Sequence, residues 1–161
     1  LLCQTKPLEQ EGVQLQFKSD KSIDKKPRVS EAFLENKEDY KMRLDYAMDM
    51  RLFFLKKNIT VKKVAFETSI PASHLSRVIG MENGLRFQDY VNFKRIEYFM
   101  RKINDPEWKL LSLAEMAKLS GFKSRTTFFR AFVKHSGKSP SQYLEQARSG
   151  NGALSKTENM F

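Results

Sequence analysis

The stretch GFKSRTTFFRAFVKHSGKSPSQY, residues 121–143, decides how this chain is read. Phe128 and Phe129 stand side by side where the surrounding spacing predicts a helix. Successive side chains on an α-helix point about 100° apart, so the pair cannot share one core face. Phe128, Ala131, Phe132 and His135 recur at i, i+3, i+4 and i+7, which makes them the predicted inward stripe. Ser124 is placed to cap the helix, Gly137 to end it, and Pro140 to open the next one. Phe129 falls outside the stripe.

Working outward, the same spacing predicts helices at about 39–57, 61–68, 72–82, 86–104, 112–119, 125–135 and 140–147. Ser69-Ile70-Pro71, Asn83-Gly84 and Asn104-Asp105-Pro106 break the pattern between them. Val and Ile recur at helical intervals and never alternate. The expected class is all-α, with about seven helices. Residues 1–37 are polar and carry Pro7, Gly12 and Pro27, which reads as a flexible linker or a remnant of an upstream region. Residues 149–161 read as a disordered tail. The chain begins Leu-Leu-Cys without methionine, as a piece of a longer protein would.

The second half of residues 38–148 repeats the first. Val61, Val64 and Ala65 match Leu113, Met116 and Ala117 at an offset of 52. Leu75, Arg77, Ile79, Gly84, Tyr90 and Val91 match Phe128, Arg130, Phe132, Gly137, Tyr143 and Leu144 at 53. GLRFQDYV and GKSPSQYL are one phrase in two versions. Each unit, about 39–84 and 110–148, is a short helix, a tight turn, a second helix and a glycine stop. That is the helix-turn-helix plan, in which the second helix enters the major groove of DNA. The joining helix, about 86–104, spans roughly 28 Å at ~1.5 Å per residue. That is near the ~34 Å between successive major-groove faces on one side of a duplex.

Charge agrees with this plan. The chain carries +10, and residues 60–148 hold 16 Lys/Arg against 8 Asp/Glu. A basic half suits a polyanion, although a solvated basic surface gives the same count. Cys3 is the sole cysteine, so neither an intramolecular disulfide nor a cysteine-built zinc site is available. No apolar run approaches the roughly 20 residues of a membrane helix. His74 and His135 lie on different repeats without a carboxylate at metal-ligand spacing, and the glycines form no phosphate loop. Neither an enzymatic constellation nor a cofactor is expected.

With Gly121, Phe122, Ser124, Phe128, Arg130, Phe132, Gly137, Pro140 and Tyr143 in place, the stretch resembles the signature of the AraC/XylS family of bacterial transcription regulators. HLSRVIGMENGLRFQDYVNFKRI, residues 74–96, is similar to that family's first helix-turn-helix and linker helix. The resemblance covers about residues 40–146 and is sharper in the second unit. It implies two helix-turn-helix units on a long promoter site, often a direct repeat. It also implies a separate sensing or dimerisation domain, which residues 1–37 do not contain, and a cytoplasmic location. The implied partners are double-stranded promoter DNA and RNA polymerase. Arg95 looks like the arginine the family keeps in its linker helix to tie helices together. Pro71 departs from the pattern, standing where the second unit has Ser124.

Helix faces nominate the DNA-contacting residues. In the second unit they are Lys123, Ser124, Arg125, Thr126, Phe129, Arg130 and Lys138. Arg125 can give guanine a bidentate pair, Phe129 can pack on a thymine methyl, and Ser124 suits a phosphate. In the first unit they are Ser73, His74, Ser76 and Arg77, with Leu75, Val78 and Ile79 inward. Lys94 and Lys134 join Lys123 and Lys138 as expected phosphate neighbours. Arg130 and Arg77 can equally be architectural, and His74 a rim histidine. Trp108 reads as a packing wedge, while Phe17, Phe33 and Tyr40 are too isolated to interpret. The rival reading is a helical protein-interaction module that docks an acidic partner through its basic face.

Overall fold

The computed structural model describes residues 30–154, with side chains through Ser149. Among these residues there are seven α-helices and no strand. They are α1 (Glu31–Asp45), α2 (Val61–Thr68), α3 (Ala72–Asn83), α4 (Phe87–Lys102), α5 (Leu113–Leu119), α6 (Arg125–Ser136) and α7 (Pro140–Leu154). A π-helical turn at Tyr46–Met50 and 3₁₀ turns at Phe53–Leu55 and Pro106–Trp108 complete the path.

The two units use the same devices. Thr60 caps α2 by accepting the Lys63 N–H at 3.3 Å. Ser112 caps α5 in a reciprocal box with Glu115. Gly84 and Gly137 end α3 and α6 in the left-handed conformation, at φ +64° and +69°. Ser124 caps α6 by accepting the Thr127 N–H at 3.4 Å, whereas Pro71 ahead of α3 offers no side-chain cap.

Two apolar clusters form, and α4 runs through both. Its first half gives Tyr90 and Val91 to a core with Leu75, Val78, Ile79 and Val64. Its second half gives Ile96 and Phe99, with Ile103 just past its end, to a core with Met116, Phe122, Phe128 and Phe132. Trp108 seals the second core edge-on to Tyr98 and Phe99, both at 6.0 Å, as the wedge reading anticipated. Between the cores sits Arg95, a buried cation. Its Nε donates to the Phe54 carbonyl at 2.7 Å and its Nη2 to that of Lys56 at 3.4 Å. Its guanidinium lies 5.6 Å from the Phe122 ring centroid. Burial lowers its pKa from the ordinary value. One arginine on the linker helix thus touches the first unit and the second.

The first helix departs from expectation at both ends. It was expected over about 39–57, with residues 1–37 as linker; instead α1 starts at Glu31 and Phe33 is fully buried. Burying such a ring contributes roughly 1.5–3 kcal/mol, enough to draw a charged stretch into the fold. At the other end Leu52 takes φ +49°, which breaks the helix after Met50. Phe53 and Phe54 then fall in the 3₁₀ turn and both are buried. A continued α-helix would have pointed one of them away. At the C-terminus α7 continues to Leu154, past the expected end at 147. Residues 1–29, with Phe17, and 155–161 lie outside the described residues.

Candidate nucleic-acid interface

On α6 the inward stripe is as the spacing predicts: Phe128, Ala131 and Phe132 are buried. The opposite face presents Thr126, Phe129, Arg130 and Val133 to solvent, with Arg125 exposed at the first turn. Phe129 is 50% exposed, so the adjacent phenylalanines do divide between core and surface. Among the described residues the side chains of Arg125, Thr126 and Arg130 make no hydrogen bond or ion pair. Two exposed guanidiniums without side-chain partners on one helix are free to receive an anion or a base edge.

The matching face of α3 carries Ser73, Ser76 and Gly80, all exposed. The Ser76 hydroxyl donates back to the Ala72 carbonyl at 3.0 Å. The other two nominated residues of this unit are turned aside. His74 is half-buried, with its ring 5.3 Å from that of Phe33 and 5.5 Å from that of Tyr40. Its Nδ1 is buried without a partner. His74 therefore leaves the outward set and becomes the rim histidine of the alternative reading. Arg77 is half-buried, and its guanidinium carbon lies 5.3 Å from the centroid of Phe33. The physical reason for both is α1, which packs on α3 and whose start was not expected to be helical.

The lysines are less interchangeable than their charge suggests. Lys94 is bound to Asp49 at 2.8 Å with only 17% of its side chain exposed, which removes it from the phosphate set. Exposed Lys134 pairs with Asp89 at 3.0 Å, and Lys138 donates to the Gln146 side chain at 2.9 Å. Lys123 donates to the Asn58 side chain, joining the turn before α6 to the loop before α2. Exposed pairs of this kind are weak and exchange readily for a phosphate. Ser124 is exposed while capping α6.

Sequence reasoning missed one basic surface. Lys56, Lys57, Lys62 and Lys63 line a cleft of about 430 Å³ with Phe53 and Phe66. Phe66 is 86% exposed, and the Lys56 ammonium sits 3.5 Å from the Phe53 centroid. Four lysines within residues 56–63 were a visible signal. A larger cleft of about 750 Å³ opens beside α6, floored by Leu55, Ala117, Phe122 and Phe128 and rimmed by Arg125 and Lys123.

His135 completes the α6 inner face beside the Phe93 ring at 5.2 Å, with its Nε2 buried and unpartnered. Burial, then the charge of Lys134, lowers its pKa from the ordinary 6.5. Among the described residues no group of His, Cys, Asp and Glu is arranged to hold a metal ion, and no helix is long and apolar enough to cross a membrane.

Comparison with known proteins matches this geometry. The family described as "Helix-turn-helix domain" matches residues 54–146. The probable transcription factor PqrA of Proteus vulgaris is 25% identical over 99 residues, covering 62% of this chain and 75% of that protein. Two solved structures share the fold. The C-terminal domain of AraT, a response regulator from Geobacillus stearothermophilus, is 24% identical with a TM-score of 0.50, covering 74% of this chain and 88% of that one. The C-terminal domain of the two-component response regulator yesN from Fusobacterium nucleatum is 22% identical with a TM-score of 0.50, covering 68% and 98%. The chain belongs to the AraC-type helix-turn-helix family of transcription-regulator DNA-binding domains.

Proposed function

We propose that α3 and α6 read two adjacent major grooves of promoter DNA as parts of one rigid body. The observation that carries this is the pairing of like faces: Ser73, Ser76 and Gly80 on α3 and Thr126, Phe129 and Val133 on α6 are solvent-exposed at matching positions. The Arg95 junction gives the two faces a fixed relation. Affinity comes from lysine and arginine on phosphates. Discrimination comes chiefly from α6, where Arg125 donates to a guanine edge, Phe129 packs on a thymine methyl, and Arg130 reaches a base or phosphate. On α3 only two short hydroxyls face out, so the first unit specifies less.

The linker helix has 16 residues, about 24 Å at ~1.5 Å per residue. This falls short of the ~34 Å between successive grooves, so engaging both bends the duplex toward the protein at a cost of roughly 1–6 kcal/mol. As a regulator's reading head, the chain would act in the cytoplasm with a sensing or dimerisation domain, close to RNA polymerase. Footprinting on duplexes selected from random sequence tests the central claim. Two protected tracts one helical turn apart are expected. Equal binding to random duplex without a protected tract would favour docking of an acidic protein instead. Gel mobility of the selected site, permuted along a fragment, tests the bend, and unchanged mobility would refute it.

A further inference from the structure

We infer that Phe33 on α1 sets how much the first unit contributes to DNA recognition, by holding Arg77 away from the groove. The inference rests on the two-groove reading above. Its starting point is an asymmetry between repeat mates. Arg77 and Arg130 occupy the same position of the two units, 53 residues apart. Arg130 is exposed and, among the described residues, its side chain has no ion pair, hydrogen bond or aromatic ring beneath it. Arg77 is half-buried, with its guanidinium carbon 5.3 Å from the Phe33 centroid.

The ring that makes the difference is well held. Phe33 has no exposed surface, and His74 meets it edge-on at 5.3 Å. Lys37 of α1 pairs with Glu82 at the other end of α3 at 2.7 Å, and Lys41 reaches the same carboxylate at 3.9 Å. The α1–α3 contact is therefore fixed at both ends of α3. The outward face of α3 is the one that carries Ser73, Ser76 and Gly80, whereas Phe33 has no exposed surface, so a guanidinium resting against that buried ring is drawn back from a base edge or a phosphate beyond the outward face. On DNA, Arg77 must leave Phe33, and the loss of that contact is subtracted from whatever Arg77 gains. Arg130 has nothing to leave. The helix carrying Phe33 thereby tunes a residue on the reading head without touching DNA, and a shift of α1 would hand Arg77 to the duplex.

Phe33→Leu keeps an apolar side chain in place and removes the aromatic face. The test measures equilibrium binding of the full chain to a duplex selected from random sequence. Wild type, Phe33→Leu, Arg77→Ala and the double variant are compared, each checked for folding by helical circular dichroism. A surface cation–π contact corresponds to about a two- to five-fold change in an equilibrium constant. Phe33→Leu is expected to bind about two- to five-fold more tightly than wild type, and the gain is expected to vanish in the Arg77→Ala background. A merely structural Phe33 predicts the opposite, a loss. Equal or weaker binding by folded Phe33→Leu overturns the inference, as does a gain that persists without Arg77. Should Phe33→Leu not fold, the two arginine variants decide: Arg77→Ala is expected to cost at least two-fold less affinity than Arg130→Ala, and an equal or larger cost overturns the inference. Wild-type binding that fails to distinguish the selected duplex from random sequence would overturn the two-groove reading itself. Distinguishing binding with an unchanged Phe33→Leu would overturn this inference alone.

Discussion

Replacing Gly121 by alanine should damage the chain more than the same change at Gly84 or Gly137, the other left-handed glycines among the described residues. Gly121 has φ +88°, and a Cβ built on it would stand 2.9 Å from Arg95 Nε, 3.2 Å from Leu55 Cα and 3.2 Å from the Phe54 carbonyl oxygen. Gly84 and Gly137 also have positive φ, but a Cβ there meets nothing within 4 Å. All three alanines carry the left-handed penalty, about 1–2 kcal/mol. Only Gly121→Ala adds overpacking, about 1–3 kcal/mol, because two of the three crowded atoms are backbone and cannot swing aside. The expected loss is thus about 2–5 kcal/mol at Gly121 against about 1–2 kcal/mol at the others. In urea unfolding, with a slope near 2 kcal/mol/M, the excess separates the midpoints by about 0.5–1.5 M. Combining Gly121→Ala with Arg95→Ala should relieve only part of the excess, since Leu55 and Phe54 remain. If Gly121→Ala unfolds at the same midpoint as Gly137→Ala, the close approach of the two units at this glycine is refuted.

Three further outcomes follow from particular contacts. Arg125→Ala should relax preference at one base pair and weaken specific binding by about 1–3 kcal/mol, while Lys138→Ala weakens specific and random DNA alike; competition assays separate the two, and an equal loss on both duplexes for Arg125→Ala would remove it as a base reader. Ser112→Ala should cost about 0.5–2 kcal/mol in thermal or urea unfolding, and the Glu115 carboxyl, now held below its usual value by bonds to Ser112, should titrate higher by NMR. His135 has a folded pKa below its unfolded value of about 6.5, so just below neutral the unfolded chain binds more protons and stability falls as pH falls. Melting temperature should therefore drop between pH 7 and 5 more steeply in wild type than in His135→Gln, and parallel pH profiles would show that burial of this imidazole does not bear on stability.

What the sequence could disclose, and what it could not, is seen in its two pairs of adjacent phenylalanines. At 128–129 a cap, an apolar period and a glycine stop all agree on one α-helix, so the rule of 100° per residue assigns one ring inward and one outward. The structure bears this out, with Phe128 buried and Phe129 half-exposed. At 53–54 no such rule applies, because Leu52 turns left-handed and the chain leaves α geometry, and both rings enter the core. No residue near 52 announces that turn, since leucine has no preference for positive φ. Tertiary contacts must hold it, and the Arg95 bond to the Phe54 carbonyl does so from 41 residues away. The same limit governs the candidate site. Local periodicity placed the outward faces of α3 and α6, which are properties of single helices. It left His74 open between the outward set and the rim and set Lys94 beside the other lysines, because the surroundings of both are supplied from elsewhere, by Phe33 and Tyr40 in one case and by Asp49 in the other. A repeat makes the two units look interchangeable in sequence. Segments outside the repeat, α1 above all, make them unequal, and that inequality is where the two reading helices acquire different weights.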